Sequence, residues 1–142
     1  MNHAIRIATL SDAPDVWRLL RQFAVSYSPD WIAFQSTYPH LVDVNKSLFL
    51  VVEEESTVVG YLLGYVLPTL FANGPVLEIV ELVVDEACRG KGLGKQLVDS
   101  ALTEAWTKGC VEVVVPTRRA GAFYRGLGFA ESATHYKMKR PA

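Results

Sequence analysis

The chain has 142 residues, of which 50% are hydrophobic, and it carries a formal net charge of −1. This length is typical of one domain, and the apolar content excludes a largely disordered chain. The near-neutral charge argues against a nucleic-acid-binding protein that relies on a broad basic surface, so we expect no nucleic acid among its partners.

Targeting and metal-binding signals are sparse. The first residues contain no apolar segment of the kind found in signal peptides, and no apolar run is long enough to span a membrane. Cys88 and Cys110 form neither a CxxC pair nor a zinc-like spacing. We therefore expect a cytoplasmic protein with no bound metal and no membrane partner.

The amino-terminal part of the chain predicts a strand followed by two helices. Residues 4–8 predict the strand, and Ser11 and Pro14 suit the start of a helix that the apolar spacing extends to about Tyr27. A second short helix is expected to end before Pro39, and one of its faces carries three aromatic residues: Trp31, Phe34 and Tyr38.

Strand-forming segments dominate the middle of the chain. Residues 48–52 and 58–66, with a charged turn between them, predict a β-hairpin. Gly60 and Gly64 in its second strand indicate a bulge or a close backbone approach. Residues 76–84, VLEIVELVV, predict a further strand.

The rest of the chain predicts two more helices and three more strands. Apolar spacing predicts a helix that starts near Leu93 and ends before Gly109, followed by a strand over 110–116. A strand–helix–strand order implies a parallel pair. A short helix over 118–127 and two closing strands, over 129–132 and 135–139, complete a mixed α/β (α+β) fold.

A loop with three glycines and three cations, Cys88–Val98 (CRGKGLGKQLV), follows the strand at 76–84. A Walker A motif would need Ser or Thr in place of Gln96, and a dinucleotide fingerprint would need glycine in place of Lys95, so both are excluded. The remaining pattern, R-x-x-G-x-G, opens a helix whose free N–H groups and dipole favour an anion such as pyrophosphate. The alternative is a tight turn with solvated cations.

This loop resembles the acyl-CoA signature of the GNAT superfamily of N-acetyltransferases. Three further segments are similar to family elements: IRIATLSDAPDVWRLL to the first strand and helix, LEIVELVV to the central strand, and AGAFYRGLGF to the later A-x-x-F-Y-x-x-x-G-F element. The resemblance covers nearly the whole chain. It implies one N-acetyltransferase domain over residues 1–142, with a mostly antiparallel sheet, a splayed parallel pair and about four flanking helices.

The same resemblance implies that acetyl-CoA is the co-substrate. It places the pyrophosphate on Arg89, Gly90, Lys91, Gly92, Leu93, Gly94 and Lys95. Backbone groups of Leu82 and Val84 then bind the pantetheine arm, and an N–H near Leu82 or Val83 polarises the thioester carbonyl. Thr117 stands where the family often has an asparagine, and its hydroxyl replaces that amide only partly.

Transfer to an amine needs a base, because an alkyl ammonium with a pKa of about 10.4 must lose a proton. If the strand has no bulge, one of its faces carries Leu77, Ile79, Glu81 and Val83. Glu81 is the acid on that apolar face, where burial raises the pKa of a carboxyl group, and it is the first candidate base. Glu78, on the opposite face, is the second candidate, and either glutamate can instead point to solvent.

By resemblance, Tyr124 is the acid that protonates the leaving thiolate. The alternative for Tyr124 is a core aromatic residue, a role for which Phe123 is the better candidate. Cys88 lies beside cations near a helix start, which raises a covalent acyl-cysteine route as a weaker alternative.

The resemblance places the acceptor near the first two helices, which carry Phe23, Tyr27, Trp31, Phe34 and Tyr38. Such residues form a core, a subunit contact, or the wall of a pocket for an apolar or cationic amine. We therefore expect an enzyme that acetylates a primary amine of a small molecule in a ternary complex, and the resemblance implies a homodimer. The alternatives are a non-catalytic acyl-CoA sensor and a protein N-terminal or lysine acetyltransferase.

Overall fold

The computed structural model describes residues 3–23, 27–43, 45 and 47–142. These residues form a five-stranded sheet with helices on both faces. The strands are β1 (His3–Ile7), β2 (Ser47–Glu54), β3 (Thr57–Leu67), β4 (Val76–Val84) and β5 (Glu112–Val114). The helices are α1 (Ala13–Leu20), α2 (Trp31–Leu41), α3 (Leu93–Thr107) and α4 (Gly121–Gly126), joined in places by short 3-10 turns.

The sheet is mixed, as predicted. Its strands lie in sequence order from β1 to β5, and every neighbouring pair is antiparallel except β4 and β5, which are parallel. The crossover through α3 provides the long connection that a parallel pair requires. The predicted fold class is therefore confirmed.

The predicted hairpin is formed by β2 and β3. Its two turn residues, Glu55 and Ser56, have φ of 52° and 67°. Positive φ at both positions is the geometry of a tight turn whose twist matches that of the flanking strands. This turn fixes which residues of β2 and β3 face each other.

The two faces of the sheet carry separate cores. On one face, α3 packs through residues that are at most 2% exposed, at the spacing of a helix stripe: Leu93, Leu97, Val98, Ala101 and Ala105. On the other face, α1 and α2 pack against the sheet through Val16, Leu19 and Tyr38. A ligand that contacts both faces must therefore pass an edge of the sheet.

The first two helices differ from their predicted limits. α1 ends at Leu20, well before Tyr27, because the backbone tightens at Gln22 and Phe23, whose N–H groups bond to carbonyls three residues earlier. Residues 24–26 of the predicted helix lie outside the described residues. α2 continues through Pro39, which removes one backbone donor, and the helix ends two residues later at Leu41.

The prediction of two closing strands was wrong. Residues 128–142 contain no regular secondary structure, and β5 and α4 are shorter than predicted. A strand needs a hydrogen-bonded partner, and within the described chain no strand lies on the outer side of β5. Phe129, near the start of this segment, is anchored to α4, since its N–H donates to Tyr124 O at 3.0 Å.

Among the described residues, no helix combines the length and the apolar character that crossing a membrane requires.

Candidate active site

Half of β4 lacks a neighbour on one side. β5 pairs with Val76–Glu78 alone, and along the described chain no strand continues that pairing beside Ile79–Val84. Backbone N–H and C=O groups on this side can therefore bind an extended ligand. The three strand residues predicted to contact the cofactor all lie in this half: Leu82, Val83 and Val84.

The glycine loop, residues 89–95, connects the end of β4 to α3. Gly90 and Gly92 have φ of 83° and 79°, which side-chain-bearing residues rarely adopt, and Gly92 is the N-cap of α3. The first intrahelical bond runs from Gln96 N to Gly92 O at 3.1 Å. The earlier N–H groups of the helix have no intrahelical acceptor, so they form an anion-binding end on a helix of 15 residues.

All three cations of the glycine loop have partners. Lys91 Nζ lies 3.1 Å from Glu54 Oε1, Lys95 Nζ lies 2.7 Å from Asp99 Oδ2, and Arg89 Nε donates to Val84 O at 3.3 Å. The hydrogen bond to Glu54 raises the pKa of Lys91. Ion pairs at a surface are weak, so a pyrophosphate can compete for these side chains.

A bulge in β4 corrects the predicted distribution of its side chains. Leu63 of β3 faces Glu81, whereas the next residue, Gly64, faces Ile79, so β4 has one extra residue, Val80. Leu77 and Ile79 pack on the α3 face of the sheet, together with Leu82 and Val84. Val80 and Val83 pack on the face of α1 and α2. The predicted grouping of Leu77, Ile79, Glu81 and Val83 on one face required a strand without a bulge. The bulge means that this condition is not met, and the grouping does not hold.

Glu81 lies on the face of α1 and α2, where its carboxylate accepts a hydrogen bond of 2.7 Å from Tyr61 Oη. Tyr61 is 1% exposed. Burial raises the pKa of Glu81, and the bond from Tyr61 opposes that rise without cancelling it. A carboxyl group whose pKa is raised by an apolar site accepts a proton more readily than an ordinary glutamate, which is the property required of a base.

Glu81 also lines a cavity, called the α2 cavity below, that lies between α1, α2 and the sheet. Its volume is about 220 Å³, and its lining comprises Val16, Leu20, Asp30, Ala33, Phe34, Thr37, Tyr38, Leu41, Phe49, Tyr61, Leu63 and Glu81. Consecutive rings lie 5.3–5.8 Å apart in a row that leads from α2 to the tyrosine beside Glu81: Trp31, Phe34, Tyr38, Phe49 and Tyr61. The predicted aromatic stripe thus serves partly as core and partly as cavity wall.

Tyr124 lies on the other face, in the core beneath α3. It is 7% exposed, and its ring contacts those of Phe123 and Phe129 at 5.0 and 5.4 Å. Burial alone raises the pKa of Tyr124 to about 12, so its phenol stays protonated at neutral pH. Phe123, expected to be the core aromatic residue of this pair, is instead 38% exposed.

Tyr124 lines a second cavity of about 920 Å³, called the β5 cavity, between β5, α4 and the segment that follows. Thr117 and Glu78 line it as well. Thr117 Oγ1 accepts a hydrogen bond from Ala120 N at 3.1 Å, so its hydroxyl is engaged at the start of α4. Cys88 and Cys110 are buried free thiols in the α3 core, which disfavours the acyl-cysteine route.

The structure brings some of the predicted residues together and separates others. Leu82, Val83 and Val84 end β4, and a short turn over residues 85–88 connects them to the glycine loop. Glu81 and Tyr124 line different cavities on opposite faces of the sheet. The unpaired side of Ile79–Val84 lies between those faces, and an extended ligand bound there can reach both.

Two residues that shape the site were not predicted from the sequence. Tyr61 binds Glu81. Arg18 of α1 binds Asp85, which follows β4, at 2.6 Å and Val58 O of β3 at 2.8 Å. The partners of these bonds are 20, 67 and 40 residues apart. No local pattern signals such contacts, because they depend on how the helices and strands pack.

Comparison with known proteins gives a family match over most of the chain. A model of the acetyltransferase (GNAT) family matches residues 13–129. The L-2,4-diaminobutyric acid acetyltransferase of Virgibacillus pantothenticus is 36% identical over 93 residues, which are 63% of this chain and 52% of that protein. The chain therefore spans about half the length of this relative.

Solved structures share the fold. A transcriptional regulator from Bacillus halodurans C-125 matches with a TM-score of 0.86 at 25% identity, over 98% of this chain and 100% of that one. AAC(6')-Iy, in complex with the bisubstrate analog CoA-S-monomethyl-acetylneamine, matches with a TM-score of 0.83 over 99% of this chain and 100% of that one. Its identity to this chain is 18%, so this likeness concerns the fold alone.

Proposed function

The chain belongs to the acetyltransferase (GNAT) family, and from this premise we propose that it transfers the acetyl group of acetyl-CoA to a primary amine of a small molecule. The amine attacks the thioester directly in a ternary complex. The observation that carries this proposal is the position of Glu81: a half-buried carboxylate faces the α2 cavity from the half of β4 that has an unpaired side and precedes the glycine loop.

The glycine loop suits the pyrophosphate of CoA. The first N–H groups of α3 and the side chains of Arg89, Lys91 and Lys95 supply donors and positive charge. Positive φ at Gly90 and Gly92 turns the backbone of the loop into the start of α3. The pantetheine arm then runs along the unpaired side of β4, where Leu82 and Val84 bind it.

Glu81 acts as the base. An ammonium of pKa about 10.4 must lose a proton before it can attack, and the raised pKa of the Glu81 carboxyl group improves its ability to accept one, directly or through water. The hydrogen bond from Tyr61 orients the carboxylate. An N–H near Leu82 or Val83 donates to the thioester oxygen as negative charge develops there.

Tyr124 stabilises the departing sulfur. The pKa of Tyr124, about 12, is well above that of an ordinary thiol, about 8.5. Complete transfer of the phenol proton to the thiolate is therefore unfavourable. The phenol therefore acts first as a hydrogen-bond donor to the sulfur. The amine releases one proton as the amide forms, and one proton ends on the thiol, so the reaction is balanced.

A small acceptor fits the α2 cavity better than a protein does. The cavity volume of about 220 Å³ is comparable to that of a short amine. The relative from Virgibacillus pantothenticus acts, by its name, on L-2,4-diaminobutyric acid, which is a small amine. Both observations support a small-molecule acceptor over a protein terminus or a lysine side chain.

The family likeness also supports one domain over residues 1–142, a cytoplasmic location and a homodimer. Light scattering coupled to size-exclusion chromatography tests the dimer, because a mass equal to that of one chain contradicts it.

The proposed activity is tested by measuring thiol release from acetyl-CoA with the purified protein across a panel of amines. We expect turnover with at least one small amine and none with a tertiary amine, which lacks a proton to lose. Tight CoA binding without thiol release on any primary amine would contradict the proposal and favour a non-catalytic acyl-CoA sensor.

A further inference from the structure

The charged side chains that line the α2 cavity are both acidic. Two of the lining residues, Asp30 and Glu81, carry carboxylates, and the described lining residues include no lysine, arginine or histidine. Glu81 lies beside Tyr61 on the sheet, whereas Asp30 is exposed and immediately precedes α2. A ligand that spans the cavity therefore meets negative charge at the sheet and again at the surface.

We propose that the α2 cavity binds an amine with a second cationic group and no acidic group, with the reacting nitrogen at Glu81 and the second ammonium beside Asp30. A short linear diamine is the simplest member of this class. This inference rests on the proposed function, because it names the acceptor of the same reaction.

The Asp30 carboxylate is held at the start of α2. One oxygen of its carboxylate accepts a hydrogen bond from Ala33 N at 2.8 Å, so Asp30 caps the N-terminus of α2. The positive end of the helix dipole favours a negative charge at this position. Since one oxygen suffices for the cap, the second can bind an ammonium group.

The cavity wall favours organic cations. Phe34, Tyr38 and Phe49 line the cavity between its two carboxylates. Aromatic rings attract ammonium groups and pack against methylene chains. An acceptor with a carboxylate or a phosphate finds no cationic partner among the described lining residues, and it approaches two negative charges.

The volume of the cavity suits a short acceptor. A water molecule occupies about 30 Å³ in the liquid, so a cavity of about 220 Å³ holds the volume of about seven waters. A four-carbon diamine fits this space, whereas an oligosaccharide does not.

The test compares three acceptors of similar length that differ at the end remote from the reacting amine: 1,4-diaminobutane, butylamine and 4-aminobutyrate. Two quantities are measured for each: kcat/KM from thiol release, and affinity from tryptophan fluorescence with CoA present. Trp17 and Trp31 report on the cavity because both rings contact Phe34, which lines it. We expect kcat/KM for the diamine to exceed that for butylamine about fivefold, as for one ion pair near a surface, and 4-aminobutyrate to be the poorest substrate.

Two charge-removing variants separate a local effect from a general one. Asn is as good an N-cap as Asp, so Asp30→Asn keeps the start of α2. Asp43→Asn removes the same charge near the other end of α2, where Asp43 binds Asn45 N and does not line the cavity. We expect Asp30→Asn to reduce the preference for the diamine over butylamine to about twofold, which is the statistical advantage of two equivalent amines, and Asp43→Asn to preserve the full preference.

The outcomes distinguish this inference from the proposed function. Turnover of all three amines with equal kcat/KM and equal affinity overturns the inference and leaves the proposed function intact. A diamine preference that is undiminished in Asp30→Asn has the same consequence. Selective binding of the diamine without thiol release from any amine supports the inference and contradicts the proposed function. Absence of both binding and turnover overturns both.

Discussion

The two ends of the candidate active site are built in different ways. The glycine loop is a run of consecutive residues, 89–95, whose conformation follows from its own glycines and from the start of α3. The α2 cavity draws its lining from α1, α2, β2, β3 and β4, and its key carboxylate depends on a bulge in one strand. The glycine loop, called the donor end because we propose that it binds the acetyl donor, is thus local in sequence. The α2 cavity, called the acceptor end, exists only after the sheet and both helices have packed. Substitutions should therefore act differently at the two ends.

The largest effect is expected at Glu81. Glu81→Gln removes the base and keeps the size of the side chain, so we expect kcat to fall about 10²–10⁴-fold, with KM for acetyl-CoA little changed. Glu78→Gln is the matched control on the same strand, because Glu78 lines the β5 cavity instead. A loss of activity in Glu78→Gln with full activity in Glu81→Gln would reverse the assignment of the base.

A smaller loss is expected at Tyr124. Tyr124→Phe keeps the buried ring and removes the donor to the departing sulfur, so we expect kcat to fall about 10–100-fold. The substitution Tyr136→Phe, at a residue that is 88% exposed, provides a control for the loss of a hydroxyl. Unchanged kcat with both a good and a poor thiol leaving group would assign Tyr124 to the core alone.

The acceptor end also depends on a partly buried ion pair near α1. Asp12 is 6% exposed and accepts hydrogen bonds of 2.8 Å from both terminal nitrogens of Arg6, while Tyr38 of α2 donates to the nearby Thr9 O at 2.7 Å. Asp12→Asn is expected to lower the free energy of unfolding by about 1.5–3 kcal/mol, measured by urea denaturation. Asp99→Asn, which breaks the exposed pair with Lys95, should cost less than about 0.5 kcal/mol.

The contribution of Asp12 to the free energy of unfolding should decrease in acid. The hydrogen bonds from Arg6 hold the pKa of the Asp12 carboxyl group below its usual value. Its stabilisation is therefore complete above the pKa of the unfolded chain, about 3.9, and is lost as pH falls through the lower folded pKa. The difference in unfolding free energy between the wild type and Asp12→Asn should be constant above about pH 5 and shrink in acid. A difference that grows as pH falls would contradict this explanation.

The smallest effect is expected at the donor end. Gly92→Ala forces a side chain into a positive-φ conformation, which costs about 1–2 kcal/mol. If the loop changes shape to avoid this cost, the affinity for acetyl-CoA should fall. If the loop keeps its shape, the free energy of unfolding should fall instead. Gly126→Ala is the control, because Gly126 has no atom within 4 Å of an added Cβ and no positive φ. Equal effects of the two substitutions would show that the conformation of Gly92 has no role in binding.

The difference between the two ends also explains which features the sequence could predict. The strand at 76–84 and the helix stripe from Leu93 to Ala105 follow from composition and spacing, and both are found in the structure. The bulge depends on pairing with β3, although Gly64, opposite it, was a correct signal: an added Cβ there would lie 3.0 Å from Glu78 O. Residues 135–139, HYKMK, alternate between polar and apolar side chains as a strand does, yet alternation does not specify a partner.

The central claim, that Glu81 is the base facing the acceptor, is tested most directly by the pH dependence of kcat/KM for the amine in the wild type and in Glu81→Gln. Protonation of Glu81 removes the base, so the wild-type value should fall as pH drops through a pKa that burial has raised above that of an ordinary glutamate. In Glu81→Gln this acidic limb should disappear, leaving only the dependence due to the amine itself. An acidic limb of the same midpoint in both proteins would contradict the claim.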